Sequence, residues 1–238
     1  MKKAIIKILS IIITLFPLSA FAHGYWIEVE GTHKTKEAVT IKLFYGEYES
    51  GERLSGTYLD KMGEIKVFVL FGTTKQQITM KQLADYWQGS FTPDAEGVYE
   101  ITGINDERQV QDWTAHNLGI VRPVQYLKTT YHIGTNATAQ HHNAYLDIEA
   151  ISPAKNNYQL HLFKNDTAFT DMKITVMHPD GWIKTIFTDT KGIASFTPAG
   201  PALYLIVVEW IDKIPGIFKQ KKYETLRHRL DFTLYHPQ

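Results

Sequence analysis

One ten-residue pattern occurs twice in this chain. Ser90-Phe91-Thr92-Pro93 is followed by four turn-forming residues, an aliphatic residue and Tyr99. Ser195-Phe196-Thr197-Pro198 is followed in the same way, and closes on Tyr204. The copies lie 105 residues apart. Solenoid repeats recur every ~20–50 residues, so this period is too long for them. It suits two copies of one β-sandwich module, each with a turn-flanked strand pair.

The residues around the two copies carry strand signals. Val39, Ile41 and Leu43 alternate with polar residues, as do Ile65, Val67, Val69 and Phe71. In the second half Leu146, Ile148 and Ala150, then Tyr158, Leu160 and Leu162, do the same. Such period-two alternation marks half-buried strands. Ile174 and Val176 lead into His178-Pro179-Asp180-Gly181, where Asp-Gly supplies the positive φ of a tight hairpin. Leu203 to Trp210 is almost continuously apolar and predicts a central strand buried on both faces. Leu226, Leu230, Phe232 and Leu234 share one parity on a last strand. Met80 to Trp87 is expected to form a short helix. Gly134 to Asn143 lacks apolar periodicity and is rich in loop formers, so the boundary is expected there. This divides the chain into residues 23–143 and 144–238, an all-β pair of sandwiches.

The first 22 residues have another character. Lys2, Lys3 and Lys7 precede an apolar run from Ile8 to Ala20, and Ala20-Phe21-Ala22 is a small-x-small cleavage site. This is the pattern of a secretory signal peptide, not of a membrane span. Export is therefore expected. Cutting after Ala22 makes His23 the first residue and leaves 22 basic against 25 acidic side chains. No basic patch suggests a nucleic-acid partner, and no other run is long enough to cross a bilayer. The chain has no cysteine, which excludes disulfides and thiolate metal sites. Serine nucleophile elbows, phosphate-cradling loops and two-histidine metalloprotease helices are missing as well.

A histidine at a free amino terminus offers its α-amine and Nδ1 to one metal ion. A third nitrogen, from another histidine, completes a brace that suits copper, nickel or cobalt. Two of the ten histidines are the candidates for that nitrogen. His116 stands in Asp112-Trp113-Thr114-Ala115-His116-Asn117, at an apolar–polar junction. His228 shares parity with Leu226, Leu230 and Phe232, and so faces inward. His33, His132, His161, His178 and His236 are expected to be ordinary surface or turn residues. His141 and His142 are adjacent and could share an ion only from a loop. Glu47 and Glu49 are expected to decorate a solvated face.

Several of these segments together resemble a known family. Tyr145 to Pro153, the Asp180-Gly181-Trp182 hairpin, Thr188-Asp189-Thr190-Lys191-Gly192, the Phe-x-Pro…Tyr close and His23-Gly24-Tyr25-Trp26-Ile27-Glu28 are similar to exported periplasmic components of cobalt and nickel uptake systems. That family was long catalogued as a domain of unknown function. The resemblance implies immunoglobulin-like β-sandwiches, periplasmic residence and a non-catalytic role in binding nickel or cobalt, with copper as a third option. It implies an inner-membrane metal importer as partner. The family commonly has Asp or His after the first histidine, where this chain has Gly24. Two other functions are to be weighed. The His-Gly-Tyr start and Trp113-Thr114-Ala115-His116 also resemble copper lytic polysaccharide monooxygenases, although the proline-arginine continuation and the cysteines of that family are absent. A pair of sandwiches can also serve structural or adhesive binding with no metal.

Overall fold

The computed structural model describes residues 23–134, 144–154 and 157–237. The expected leader and the boundary segment with His141 and His142 lie outside the described residues. The first half contains β1 (Gly24–Glu30), β2 (Val39–Glu47), β3 (Glu52–Arg53), β4 (Lys66–Phe71), β5 (Thr74–Ile78), β6 (Lys81–Gln82), β7 (Trp87–Phe91), β8 (Gly97–Asn105), β9 (Gln111–Asp112) and β10 (Ile120–Ile133). The second contains β11 (Leu146–Ala154), β12 (Asn157–Lys164), β13 (Thr167–Ala168), β14 (Lys173–Met177), β15 (Ile183–Phe187), β16 (Ile193–Phe196), β17 (Ala202–Asp212), β18 (Gly216–Phe218), β19 (Lys221–Tyr223) and β20 (Thr225–His236).

The same layering is built twice. In the first half β1, β2 and β7 form one layer, and β5, β4, β8 and β10 the other. In the second, β11, β12 and β16 face β15, β14, β17 and β20. The alternation read from sequence closes each core. Ile27, Ile41 and Leu43 meet Val67, Ile101 and Leu127 in the first. Leu146, Leu160 and Leu162 meet Val176, Ile206 and Phe232 in the second. Fully burying each such side chain contributes ~1.5–3 kcal/mol.

The repeated motif is a tyrosine corner in both halves. Phe91 and Phe196 each end a strand of one layer, and the tyrosine after the turn begins a strand of the other. Tyr99 Oη donates to the Ala95 carbonyl at 2.9 Å and accepts from the Ala95 amide at 3.1 Å. Tyr204 Oη donates to the Gly200 carbonyl at 2.8 Å and accepts from the Ala199 and Gly200 amides. This device marks immunoglobulin-like sandwiches, and it satisfies the backbone where the chain crosses between layers. Tyr204→Phe is expected to cost about 1–2 kcal/mol, measured by urea unfolding. Tyr99→Phe should cost a similar amount. The double variant should show the sum, because the two corners sit in separate cores.

A single sheet joins the halves. β10 and β20 pair in parallel from Val121–Thr225 to Thr129–Thr233, in the middle of the order β15-β14-β17-β20-β10-β8-β4-β5. The two covering layers lie on opposite faces of this sheet. On β20, Leu230, Phe232 and Leu234 point into the second core. Arg229, Asp231 and Thr233 point the other way, toward β1. A smaller cluster of Trp26, Phe44, Tyr48, Leu205 and Val207 seals the first layer against the back of β17.

The helix expected over Met80–Trp87 does not form. Lys81 and Gln82 pair with β7, the Leu83 amide donates to the Tyr86 carbonyl across a turn, and Trp87 begins β7. Trp87 Nε1 donates to the Leu59 carbonyl at 3.0 Å. Its ring belongs to the first core, and that packing overrides the local helical spacing.

Candidate metal site at the start of the first strand

β1 lies beside β20 and runs in the same direction. The Tyr25 amide reaches Asp231 Oδ2 at 3.3 Å, and Thr233 Oγ1 donates to the Ile27 carbonyl at 2.8 Å. His23 stands just before this moored segment. It is exposed, with its ring 5.5 Å from that of Tyr45, which in turn stacks on Tyr25. His23 thus stands at an open rim.

Beneath that rim is a buried ion pair. Arg229 Nε donates to Asp231 Oδ1 at 2.8 Å, and Gln125 Nε2 donates to Asp231 Oδ2 at 2.7 Å. Complete burial pushes the Asp231 carboxyl above its ordinary range, against the pull of the Arg229 guanidinium. This pair explains the residue after His23. A Cβ on Gly24 would stand 2.6 Å from Arg229 Nη2, so the guanidinium occupies the space a side chain would need.

The three candidate histidines do not converge. His228 is buried on the face of β20 opposite to β1, with its Nδ1 2.9 Å from Tyr126 Oη and its ring 4.4 Å from that of Tyr145. Its Nε2 is buried with no hydrogen-bond partner among the described residues. Desolvation pushes its pKa down to about 4, so the ring is a neutral part of the second core. The sequence reading placed it inward correctly. Its proposed place beside the amino terminus fails because alternation sends residues 228 and 229 to opposite faces. His116 ends a one-turn 3-10 helix, Thr114–His116, pinned by Asp112 Oδ1 accepting from the Thr114 amide at 2.9 Å. It is exposed in the loop that enters β10. Among the described residues no three His, Asp or Glu side chains are grouped to hold an ion. The three-nitrogen brace expected of His23 with His116 or His228 is therefore not assembled among the described residues.

The folded-state pKa of His228 lies below the ordinary value of 6.5. The unfolded chain then binds the proton first, so stability is full above about pH 6.5 and declines down to about pH 4. The loss is expected to reach roughly 2–3 kcal/mol. His228→Gln should remove this part of the acid sensitivity, seen as a smaller shift of the urea midpoint between pH 7 and pH 4.

Sequence reasoning missed other contacts among the histidines. His33 stacks on Tyr131 at 4.6 Å, and its Nδ1 lies 2.8 Å from the His132 carbonyl. His178 is buried in its hairpin, with Nδ1 accepting from the Asp180 amide at 3.1 Å, and Gly181 turns at φ 84°. His236 is the last residue of β20, and its Nδ1 lies 3.1 Å from Tyr158 Oη.

The second feature of the site is a fork in the central sheet. Past the Thr129–Thr233 pair, β10 stays with β8 and β20 stays with β17. Thr129 Oγ1 caps the Thr233 carbonyl at 3.0 Å, where the ladder stops. The strands separate around a cleft of about 1220 Å³ whose lining includes Trp26, Arg53, Lys128, His132, Leu234 and Tyr235.

No family model matches the sequence, and no curated protein matches it. Among solved structures, the D0-D1 domain of Intimin aligns with 90% of this chain and 100% of its own length. The identity is 10% and the TM-score 0.26. A likeness at that level says nothing about function. No helix among the described residues is long and apolar enough to cross a membrane.

Proposed function

We propose that this is an exported, non-catalytic carrier of a divalent transition metal, nickel or cobalt before copper. Its amino-terminal His23 would hold the ion by amine and Nδ1 once the leader is removed. The observation that supports this reading is the exposure of His23 at the head of a strand whose first four residues are buried and which is pinned to β20. A two-nitrogen chelate at an open rim leaves coordination positions for water or for an acceptor. That arrangement suits an ion that is cargo for an importer rather than a resident cofactor.

The test is calorimetric titration of nickel, cobalt and copper into protein that begins at His23. Binding is expected near pH 7.5 and should weaken by roughly a hundredfold or more near pH 5, because protons compete with the metal for both nitrogens. His23→Ala, or one residue appended before His23, should abolish it. Equal affinity at the two pH values would falsify the chelate.

The fork in the sheet favours a second reading, a binding module without metal. A cleft of this size between two sandwiches is a common place for a ligand. Protein with the correct amino terminus that takes up none of the three metals would leave this as the better account.

A further inference from the structure

The chain leaves β17 at Asp212 and returns at Glu224 through Lys213-Ile214-Pro215-Gly216-Ile217-Phe218-Lys219-Gln220-Lys221-Lys222-Tyr223. This segment has four lysines and no acid. It folds as a two-stranded sheet of its own, β18 against β19, with Ile217 opposite Lys222 and Phe218 opposite Lys221. An isolated two-stranded hairpin is marginal in water, and this one is held from one side. The Arg122 guanidinium lies 4.0 Å from the centre of the Phe218 ring. Lys219 Nζ donates to the Glu107 carbonyl at 2.8 Å and lies 3.0 Å from its carboxylate.

The opposite face, with Ile217 and Lys222, is open to solvent, while Lys221 shares the Phe218 face. Ile217 is 68% exposed and Ile214 53%. Lys213, Lys221 and Lys222 are exposed, with no ion pair among the described residues. The acids at the base are engaged locally: Asp212 accepts from Tyr145 Oη at 2.8 Å, and Glu224, itself exposed, accepts from the Ile120 amide at 3.1 Å. The turn residues Lys219 and Gln220 have φ of 47° and 65°. That is the left-handed geometry of a two-residue hairpin, normally filled by Asn and Gly, so the tip sacrifices local stability.

We propose that this hairpin docks the protein on an anionic lipid surface. An acidic protein groove would match the lysines but leave the isoleucines wet. An apolar protein patch would match the isoleucines but bury ammonium groups without counter-charge. An anionic bilayer takes both, with phosphates against the ammoniums and the acyl boundary against the aliphatic side chains. Leu118 is a further exposed apolar side chain, in the loop whose Gly119 packs on Glu224. Because β1 begins beside Arg229, four residues after the start of β20, His23 and the hairpin lie toward the same end of the molecule.

The experiment is co-sedimentation of the protein starting at His23 with vesicles of phosphatidylglycerol and phosphatidylethanolamine, and separately with phosphatidylcholine alone. Binding is expected only to the anionic vesicles at about 0.1 M salt, and should weaken as salt is raised. Lys221→Glu with Lys222→Glu should lower it about tenfold or more. Ile217→Ser should lower it about threefold or more at any salt. Both changes are at exposed positions, so an unchanged melting temperature verifies that the variants fold. Absence of sedimentation, equal binding to both vesicle types, or charge reversal without effect would overturn the proposal. So would selective capture of a polyglutamate peptide in the absence of vesicle binding, which would mark a protein-docking site instead.

Discussion

Lys128→Met is expected to destabilise the fold by about 3–5 kcal/mol. Lys128 is 4% exposed on β10, with Nζ 2.9 Å from Asp147 Oδ1 and 3.6 Å from Glu100 Oε2. Glu100 comes from β8 and Asp147 from β11, so this one ammonium ties the first half to the leading strand of the second. Methionine fills the same volume but withdraws the ammonium from beside two buried carboxylates. The stranded charge, rather than the lost attraction, dominates such a cost. Domains have ~5–15 kcal/mol in hand, so the variant should lose a large share of its stability. Urea unfolding followed by tryptophan fluorescence measures this directly. Adding Glu100→Gln and Asp147→Asn to Lys128→Met should recover most of the loss, since neutral amides need no cation. A loss under about 1 kcal/mol would show that the carboxylates are satisfied without Lys128.

Asp231→Ala is expected to cost a similar ~3–5 kcal/mol, with a more local signature. Asp231 is 1% exposed and accepts from Gln125, Arg229 and the Tyr25 amide. Alanine leaves the Arg229 guanidinium buried, its remaining carboxylate being Glu209 at 3.5 Å, which is 44% exposed. It also removes the acceptor that holds the start of β1. Amide exchange should therefore rise at Tyr25 and the residues beside it more than within β12 or β17. Asp231→Asn keeps an acceptor oxygen and should cost clearly less. Uniform exchange across the chain would mean that Asp231 stabilises the whole fold without mooring β1.

The fold was legible wherever local pattern carries it. Alternation at Val39–Leu43, Leu146–Ala150 and Leu226–Leu234 located strands and their buried faces, because a half-buried strand has only two sides. The two Ser-Phe-Thr-Pro…Tyr segments gave the duplication, since a tyrosine corner is made within one turn. Met80–Trp87 misled because its apolar spacing fits a helix, while the Trp87 indole is claimed by the Leu59 carbonyl far away in the chain. The candidate site was much less legible. Inward parity at His228 was readable, but which neighbour lies on that face depends on β10 pairing with β20. That contact links distant segments and leaves no local signature. Gly24 leaves no local signature either, because the Arg229 guanidinium that fills the space of its missing side chain comes from β20.

The parallel ladder between β10 and β20 has a temporal consequence. Residues 121–129 are synthesised, or delivered through a pore, long before residues 225–233 arrive to complete them. Until then Gln125 has no Asp231 to bond, and the leading strand has nothing to anchor its first amide. Closing so long a loop is slow, so a chain emerging head first keeps its head loose until its tail emerges. A premature stop before Thr225 should therefore be felt most at the opposite terminus.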